Sequence, residues 1–243
     1  MPDSAVASRR PEPPPLKGFI ETSFLDWRGL ISAVLFLPGC NFACPYCHNY
    51  SPLVSDPDSL LTLPLEGVLD RLRPFVGWID GVVVSGGEPT LHPGLEDLLA
   101  QIRQDGFKVK LDTNGYRPEV LSRVVEAGLV DMVAMDVKAP LEPLAYRRAC
   151  GRAIEVERVA QSLEYLKASG VAHEFRSTIC PSWHGPAELE RMAEAVEGCM
   201  SWTLQAMNPG TAWNTEAVNG AGMFKPEELD KLQRNVADPV CRS

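Results

Sequence analysis

Features that would point to a membrane, an export route or a nucleic acid are missing from this 243-residue sequence. No apolar run approaches the roughly 20 residues that cross a bilayer. The Arg9–Arg10 pair is followed by two prolines and a glutamate, where a signal peptide would place its apolar segment. Basic residues number 23 against 32 acidic ones, a net charge of −9, whereas a general nucleic-acid binder carries the opposite sign. The sequence therefore predicts a cytoplasmic protein with no membrane partner, and it argues against nucleic acid as a partner.

A disulfide framework is also absent. The seven cysteines are an odd number, and three of them lie within residues 40–47, which is typical of metal or redox chemistry in a reducing cell. The hydrophobic fraction of 45% and the charged fraction of 23% exclude a wholly disordered or fibrous chain. Residues 1–15 contain five prolines and almost nothing apolar, so we expect a disordered tail before a single domain over residues 16–243.

Short apolar runs alternate with amphipathic stretches along the rest of the chain. Six runs bounded by turn residues predict strands, and five stretches between them each place apolar residues on one helix face. Four of these helices run into a glycine that can take the left-handed conformation ending a helix, and Pro226 begins a last helix over 226–235. The predicted strands are residues 31–37, 81–84, 108–111, 132–135, 171–179 and 202–206, and the four glycines are Gly106, Gly128, Gly170 and Gly198.

This strict alternation predicts an α/β fold with parallel strands and right-handed crossovers. An open doubly wound sheet and a barrel both satisfy the pattern. Six units fall short of the eight in a complete barrel, so we expect an incomplete (β/α)6 TIM-like barrel with parallel strands.

Polar or reactive residues stand at the carboxyl end of every predicted strand, where ligand sites of parallel α/β folds lie. The pattern predicts one composite site built from most of the strands. In strand order, its candidate residues are Cys40, Cys44, Tyr46 and Cys47; Gly86, Gly87 and Glu88; Asp112 and Thr113; Asp136 and Lys138; Arg176; and Gln205.

The strongest signal is the Cys-x3-Cys-x2-Cys spacing of Cys40, Cys44 and Cys47 on one loop. Three thiolates this close suit a zinc ion or an iron–sulfur cluster. A structural zinc site needs a fourth ligand, and the nearest, His48, is bonded directly to Cys47, which makes ligation of one ion by both awkward. A cubane cluster has four irons, so three cysteines leave one iron open, as a reactive centre requires.

This spacing, with Tyr46 just before the last cysteine, resembles the signature of radical S-adenosylmethionine (SAM) enzymes. The resemblance implies a [4Fe–4S] cluster whose open iron binds the amino and carboxylate groups of SAM, and a 5′-deoxyadenosyl radical that abstracts a hydrogen atom. The stretch Gly86-Gly87-Glu88-Pro89 resembles the second motif of that family, whose backbone and carboxylate hold the SAM amino group.

Further stretches resemble a narrower group, the activating enzymes of glycyl radical proteins. This resemblance implies a glycyl radical protein as partner, with anaerobic ribonucleotide reductase the first candidate, and a flavodoxin or ferredoxin-type electron donor. Residues 48–84 contain no cysteine, so the chain is similar to the members with a single cluster. The matching stretches are residues 18–20, 37–49, 112–115 and 135–138, within a likeness that runs from about Gly18 to about Pro209.

The resemblance also implies a role for individual residues. Asp136 and Lys138 would contact the ribose and carboxylate side of SAM, Arg176 would face its carboxylate, and Tyr46 would contact the adenine. Pyruvate formate-lyase activators carry a SAM-contacting histidine on the last strand, and Gln205 would substitute for it here.

A monovalent cation beside SAM is a further implication of the resemblance, with Asp112, Thr113 and Asp136 as its ligands. The four cysteines outside the loop have wide, irregular spacings, and we expect buried free thiols there. Likewise, three histidines without metal-like spacing are expected to be structural. These residues are Cys150, Cys180, Cys199 and Cys241, and His92, His173 and His184.

Two other functions remain open at this point. Within the same superfamily, the chain would act on a small molecule or an RNA base, although its acidic charge disfavours RNA. From a different class, it would be a non-catalytic zinc-binding or electron-transfer module.

Overall fold

The computed structural model describes residues 13–241, which contain seven strands and seven α-helices. The strands are β1 (Gly18–Ser23), β2 (Ser32–Leu37), β3 (Gly81–Gly86), β4 (Lys108–Thr113), β5 (Met132–Asp136), β6 (Ala172–Ile179) and β7 (Trp202–Ala206). The helices are α1 (Leu65–Leu72), α2 (Leu95–Gln104), α3 (Pro118–Glu126), α4 (Pro143–Cys150), α5 (Val156–Ser169), α6 (Pro186–Val196) and α7 (Pro226–Leu232).

All seven strands form one sheet in sequence order, from β1 at one edge to β7 at the other. Strands β2 to β7 pair in parallel. In the described part of the chain β1 and β7 do not pair, so the barrel is not closed. The predicted α/β fold with an incomplete parallel barrel is therefore confirmed.

Two elements were not predicted. Strand β1 pairs antiparallel with β2 at the edge of the sheet. Ile20 and the next two residues are exposed there, so β1 needs no long apolar run and gave no strand signal in the sequence. Helix α4 begins at Pro143 and buries Tyr146, Ala149 and Cys150, but it lacks the repeated leucine and valine stripe of the other helices. Both elements depend on neighbours elsewhere in the chain more than on a periodic pattern of their own.

The helix ends follow the sequence prediction. Gly106, Gly128, Gly170 and Gly198 all have positive φ angles, of 95°, 65°, 78° and 79°. Helix α7 continues as a wider π-helical turn over Gln233–Ala237. In that turn the Gln233 amide accepts from Leu204 N at 2.9 Å and donates to Trp202 O at 2.7 Å, which covers the exposed edge of β7.

The two faces of the sheet pack differently. The helices cover the outer face, where Leu35, Val82 and Leu111 belong to the main core. On the inner face, Trp27 packs against Val34 and Val83 near the amino ends of the strands. The indole ring therefore fills the inner face beside β2 and β3 at this end of the sheet.

Within the described residues, no helix has the length and apolar character needed to cross a membrane. Of the predicted tail, residues 1–12 lie outside the described part of the chain. Pro14, which is inside it, is buried. The tail and the single-domain assignment both stay predictions.

Candidate active site

The loop that carries the three cysteines follows β2 and is held by backbone contacts. Glu88 N donates to Gly39 O at 2.7 Å, and Gly87 N donates to Leu37 O at 2.8 Å. A Cβ on Gly87 would lie 1.9 Å from Gly39 O, and one on Gly86 would lie 2.2 Å from Leu37 O. Only glycine allows this approach, so the pair joins the loops that follow β2 and β3.

The three thiols lie in a poorly solvated place. Burial raises the pKa of Cys40 to about 11 and that of Cys44 to about 12, and it also raises the pKa of Cys47. The ammonium of Lys138 opposes this shift at all three. Thiols that resist ionisation by themselves become thiolates when a strongly charged metal centre binds them, so this donor set fits a cluster.

The number of thiols suits a cubane cluster. Each of three thiolates binds a different iron, and the fourth iron keeps an open position. Within residues 13–241, no group of three His, Cys, Asp or Glu side chains is placed to hold a single metal ion.

Buried polar atoms without a partner mark the same end of the sheet. Asn41 Nδ2, Tyr46 Oη and Asp112 Oδ1 have no hydrogen-bond partner among the described residues. Asp112 Oδ1 lies 3.9 Å from Lys110 Nζ, which is beyond hydrogen-bonding distance. Unsatisfied buried donors and acceptors are costly, so a polar ligand such as SAM fits this place.

Glu88 is almost wholly buried and is already held by the protein. Its Oε1 accepts hydrogen bonds from Thr90 N, Thr90 Oγ1 and Thr113 Oγ1, and its Oε2 accepts from Asn114 N at 2.7 Å. Burial raises the pKa of Glu88, while these donors oppose the shift. The carboxylate therefore ties the loop after β3 to the end of β4, and Oε2 keeps capacity for one further donor.

A ladder of charges crosses the inner face of β4, β5 and β6. Arg176 donates to Asp112 Oδ2 and to Asp136 Oδ1, both at 3.2 Å, and Lys138 Nζ lies 2.9 Å from Asp136 Oδ2. Burial alone would raise the pKa of Asp136, but Lys138 and Arg176 outweigh it and hold that pKa below its ordinary value. Burial alone would lower the pKa of Lys138, but Asp136, Cys44 and Tyr46 outweigh it and raise that pKa.

The ladder contains members that the sequence reasoning missed. Lys110 is only 2% exposed, and its Nζ donates to Asp26 O at 2.6 Å and to Glu174 Oε1 at 3.1 Å. Ser85 Oγ donates to Asp112 Oδ2 at 3.1 Å. The sequence did contain a signal for Lys110. It stands two residues before Asp112 on a predicted strand, and residues with that spacing share one face of the strand.

A late segment of the chain also reaches the cysteine loop, and the sequence carried no motif for it. Trp213 Nε1 donates to Cys44 O at 2.8 Å, and Asn214 N donates to Pro45 O at 3.2 Å. The Trp213 ring stacks on Tyr50 with centroids 4.0 Å apart and an interplanar angle of 14°. This segment therefore helps to hold the loop in place.

The structure brings together all the predicted site residues except one. Lys138 interacts electrostatically with Tyr46 and with the three cysteines of the loop, which links the loop to the ladder. Gln205 on β7 shares the inner face of the sheet with Arg176, but it is exposed and its side chain makes no hydrogen bond within residues 13–241.

The other cysteines and histidines occupy separate positions. All seven cysteines are free thiols, and Cys199 Sγ lies 3.2 Å from Cys241 Sγ. His92 Nε2 contacts Pro38 O at 2.8 Å, and His184 bridges Cys180 N and Lys138 O. These contacts agree with structural roles for the two histidines.

An open parallel α/β barrel with three thiols and a buried charge ladder at its strand ends defines a class of cluster-dependent enzymes. The sequence model of the Radical SAM superfamily matches residues 34–197, and the chain belongs to this superfamily. The protein is therefore an enzyme of the radical SAM oxidoreductase type, with a [4Fe–4S] cluster and SAM as the cofactors of its family. The non-catalytic zinc or electron-transfer module is excluded.

Two curated relatives carry names that are more specific than the name of the superfamily. A protein of Methanocaldococcus jannaschii, whose name provisionally makes it a glycyl-radical enzyme activating enzyme, is 31% identical over 221 residues, or 89% of both chains. The pyruvate formate-lyase-activating enzyme of Staphylococcus aureus (strain USA300) is 37% identical over 87 residues, or 33% of this chain and 34% of that protein.

A solved structure shares the fold alone. The structure of TYW1 with a lysine-pyruvate adduct bound is 17% identical, with a TM-score of 0.61, and the match covers 86% of this chain and 74% of that chain.

Proposed function

We propose that this radical SAM enzyme takes one hydrogen atom from a backbone glycine of a partner protein and so activates a glycyl radical enzyme. The observation that carries the proposal is the 31% identity to an activating-enzyme relative across 89% of both chains. The unclosed barrel also favours it, because a gap between β1 and β7 gives a peptide loop a lateral route to the strand ends.

Specific residues are proposed to hold the cofactors. When bound, the cluster supplies the electron that cleaves SAM and so generates the hydrogen-abstracting species. Cys40, Cys44 and Cys47 would bind three of its irons, and the burial of Cys44 would limit the access of water to that side of the site. Gly86 and Gly87 keep the neighbouring backbone close to this loop, within reach of a ligand.

The charge ladder suits the amino-acid end of SAM. Lys138 and Arg176 offer cationic donors to the SAM carboxylate, and Asp136 keeps both in place while accepting from the ribose. Glu88 Oε2 has capacity for one donor from the SAM amino group. Tyr46 Oη and its ring are proposed to border the adenine. Gln205 pairs with Thr178 and so lies on the inner face of the sheet with Arg176, where it is proposed to contact SAM.

A monovalent cation is proposed as a further component. Asp112 Oδ1 has no partner among the described residues, and Asp136 shares Arg176 with Asp112. Thr113 is the next residue of β4, and its hydroxyl donates to Glu88 Oε1. Arg176 bridges the two carboxylates and would compete with such an ion. Titrations of SAM binding with and without potassium would test this, and equal affinities would contradict it.

The first partner to test is anaerobic ribonucleotide reductase, with a flavodoxin or a ferredoxin as electron donor. The holoenzyme is reconstituted and reduced without oxygen, then mixed with SAM and the reductase. An EPR doublet from a glycyl radical, together with 5′-deoxyadenosine, is the expected result. 5′-Deoxyadenosine without the doublet, across a panel of glycyl radical proteins, would instead support a small-molecule or RNA substrate.

The matched controls for this experiment are single cysteine variants. Cys40→Ala, Cys44→Ala and Cys47→Ala should each abolish 5′-deoxyadenosine formation and lower the iron content. Cys180→Ala, which removes a buried thiol in a separate cluster of residues, should retain about four irons per chain. Full SAM cleavage by any loop variant would overturn the ligand assignment.

A further inference from the structure

Three arginines form an exposed patch at the end of α4, which we call the arginine patch. Arg147, Arg148 and Arg152 are all exposed, and none has a carboxylate oxygen within 4.0 Å in the described part of the chain. Most arginines of the described residues are paired with carboxylates. A local excess of unpaired positive charge is therefore unusual in a chain whose net charge is −9.

The arginine patch lies directly beside the cysteine loop. Ala43 N, in the residue before Cys44, donates to Cys150 O at 2.8 Å. Gly151 has a φ of 73°, and a Cβ there would lie 2.1 Å from Ala43 O, so this end of α4 presses on the loop backbone.

The patch also reaches the second side of the loop. The guanidinium of Arg148 lies 5.8 Å from the ring centroid of Trp183. That ring is 6.2 Å from the ring of Tyr46, within the loop. A hydrogen bond and a chain of aromatic contacts therefore connect the patch to the cysteines.

The chemistry of the patch fits a protein surface better than a small anion. The three side chains are exposed and are not held in one position by hydrogen bonds within residues 13–241. A small anion site needs converging, preorganised donors, whereas loosely held exposed charges steer and orient an oppositely charged protein. Electron transfer falls steeply with distance, so a carrier protein must dock close to the buried thiols.

We propose that the arginine patch docks an acidic one-electron carrier protein, of the flavodoxin or ferredoxin class, that reduces the cluster. The proposal rests on the cluster assignment under Proposed function. In this step the carrier is oxidised by one electron and the cluster is reduced by one. No bond forms or breaks, and no proton is transferred.

The test compares two triple variants of the holoenzyme with equal loss of charge. The patch variant is Arg147→Gln with Arg148→Gln and Arg152→Gln. The control is Arg28→Gln with Lys231→Gln and Arg234→Gln, which changes exposed residues without ion pairs elsewhere in the described chain. Their affinity for purified flavodoxin is measured at two salt concentrations, and 5′-deoxyadenosine is assayed with reduced flavodoxin and separately with dithionite.

The patch variant should bind flavodoxin about tenfold more weakly than the control and lose most of its salt dependence. Its flavodoxin-driven SAM cleavage should fall by a similar factor, while dithionite-driven cleavage stays within about twofold. A variant with Arg147→Lys, Arg148→Lys and Arg152→Lys keeps the charge and should restore binding.

Three outcomes would overturn the proposal. The patch variant could bind flavodoxin as the control does, it could lose dithionite-driven cleavage equally, or it could lose affinity for the glycyl radical partner instead. The assay with dithionite also allows this proposal and the proposed function to fail separately. SAM cleavage without a glycyl doublet on the partner protein would contradict glycyl radical activation and leave the docking proposal intact.

Discussion

Side chains at the strand ends fall into two groups. Some, such as Cys40 and Cys44, are protonated thiols that a cofactor would bind. Others already accept hydrogen bonds from the protein itself, and Glu88 is the clearest example because its carboxylate accepts from four donors. A residue of a recognised motif can therefore be structural and ligand-facing at once.

Replacement of Glu88 by glutamine should destabilise the protein. An amide offers one acceptor oxygen, and its NH2 group would face Asn114 N or Thr113 Oγ1 as a second donor. We expect Glu88→Gln to lower the free energy of unfolding by about 1–3 kcal/mol, as measured by urea denaturation of the metal-free protein. Glu216→Gln, on an exposed loop, is the control, and equal stability of the two variants would contradict the bracing role.

The raised thiol pKa values make a second prediction about the metal-free protein. Only the thiolate is alkylated, and the pKa of Cys40 is about 11 rather than 9.0. At pH 8 its alkylation should be about tenfold slower than in urea-unfolded protein, since higher nucleophilicity partly offsets the smaller thiolate fraction. The rate should keep rising with pH toward about 11. Peptide mass spectrometry after timed iodoacetamide treatment measures this, and a plateau near pH 9 would refute it.

At the scale of elements, the loops after β2 and β3 behave as one unit. Backbone bonds from Gly87 and Glu88 to the loop that carries Cys40 bring two strand ends into direct contact. The close approach requires that no side chain stand between them.

Gly87→Ala should disrupt this junction. The new Cβ would meet Gly39 O at 1.9 Å, so one loop must move. We expect a loss of about 3 kcal/mol or more in unfolding free energy, together with reduced iron incorporation. Gly67→Ala in α1 is the matched control, since its Cβ would meet only Pro64 Cγ at 3.4 Å, and it should be neutral or stabilising by about 0.5–1 kcal/mol. Full iron loading of Gly87→Ala would show that the loops can separate without consequence.

At the scale of the whole molecule, segments that are distant in sequence contact the cysteine loop. Trp213 is 169 residues from Cys44 in sequence, yet its indole N–H donates to the Cys44 carbonyl. Helix α4 reaches the same loop from another side through Cys150 O. The loop is therefore held by two separate segments from the second half of the chain.

Removal of the Trp213 hydrogen bond should loosen that hold. Trp213→Phe keeps a ring against Tyr50 but removes the N–H, so we expect a loss of about 0.5–1.5 kcal/mol in stability. Iron release from the reconstituted protein to a chelator should become faster. Trp78→Phe, at a position 78% exposed, serves as the control. Identical rates of iron release from the two variants would show that the Trp213 hydrogen bond does not help the loop to retain iron.

The parts of the fold that repeat locally were predictable from the sequence. The six parallel strands and the glycines that end four helices follow from short apolar runs and from residues that take positive φ, which depend on nearby neighbours. Strand β1 and helix α4 were not predictable in this way, because β1 is stabilised by pairing with β2 and α4 by packing against the cysteine loop.

The sequence by itself determined the spacing of the cysteine loop and the order of polar residues at the strand ends, because the carboxyl ends of parallel strands meet at one edge of the sheet. Only the tertiary structure decided how those residues are used. It engaged Glu88 with Thr113 and Asn114, placed Arg176 between two carboxylates, left Gln205 exposed, and brought Lys110 and Trp213 to the site. The physical reason is that hydrogen bonds and ion pairs depend on distances between segments remote in sequence, which no local pattern records.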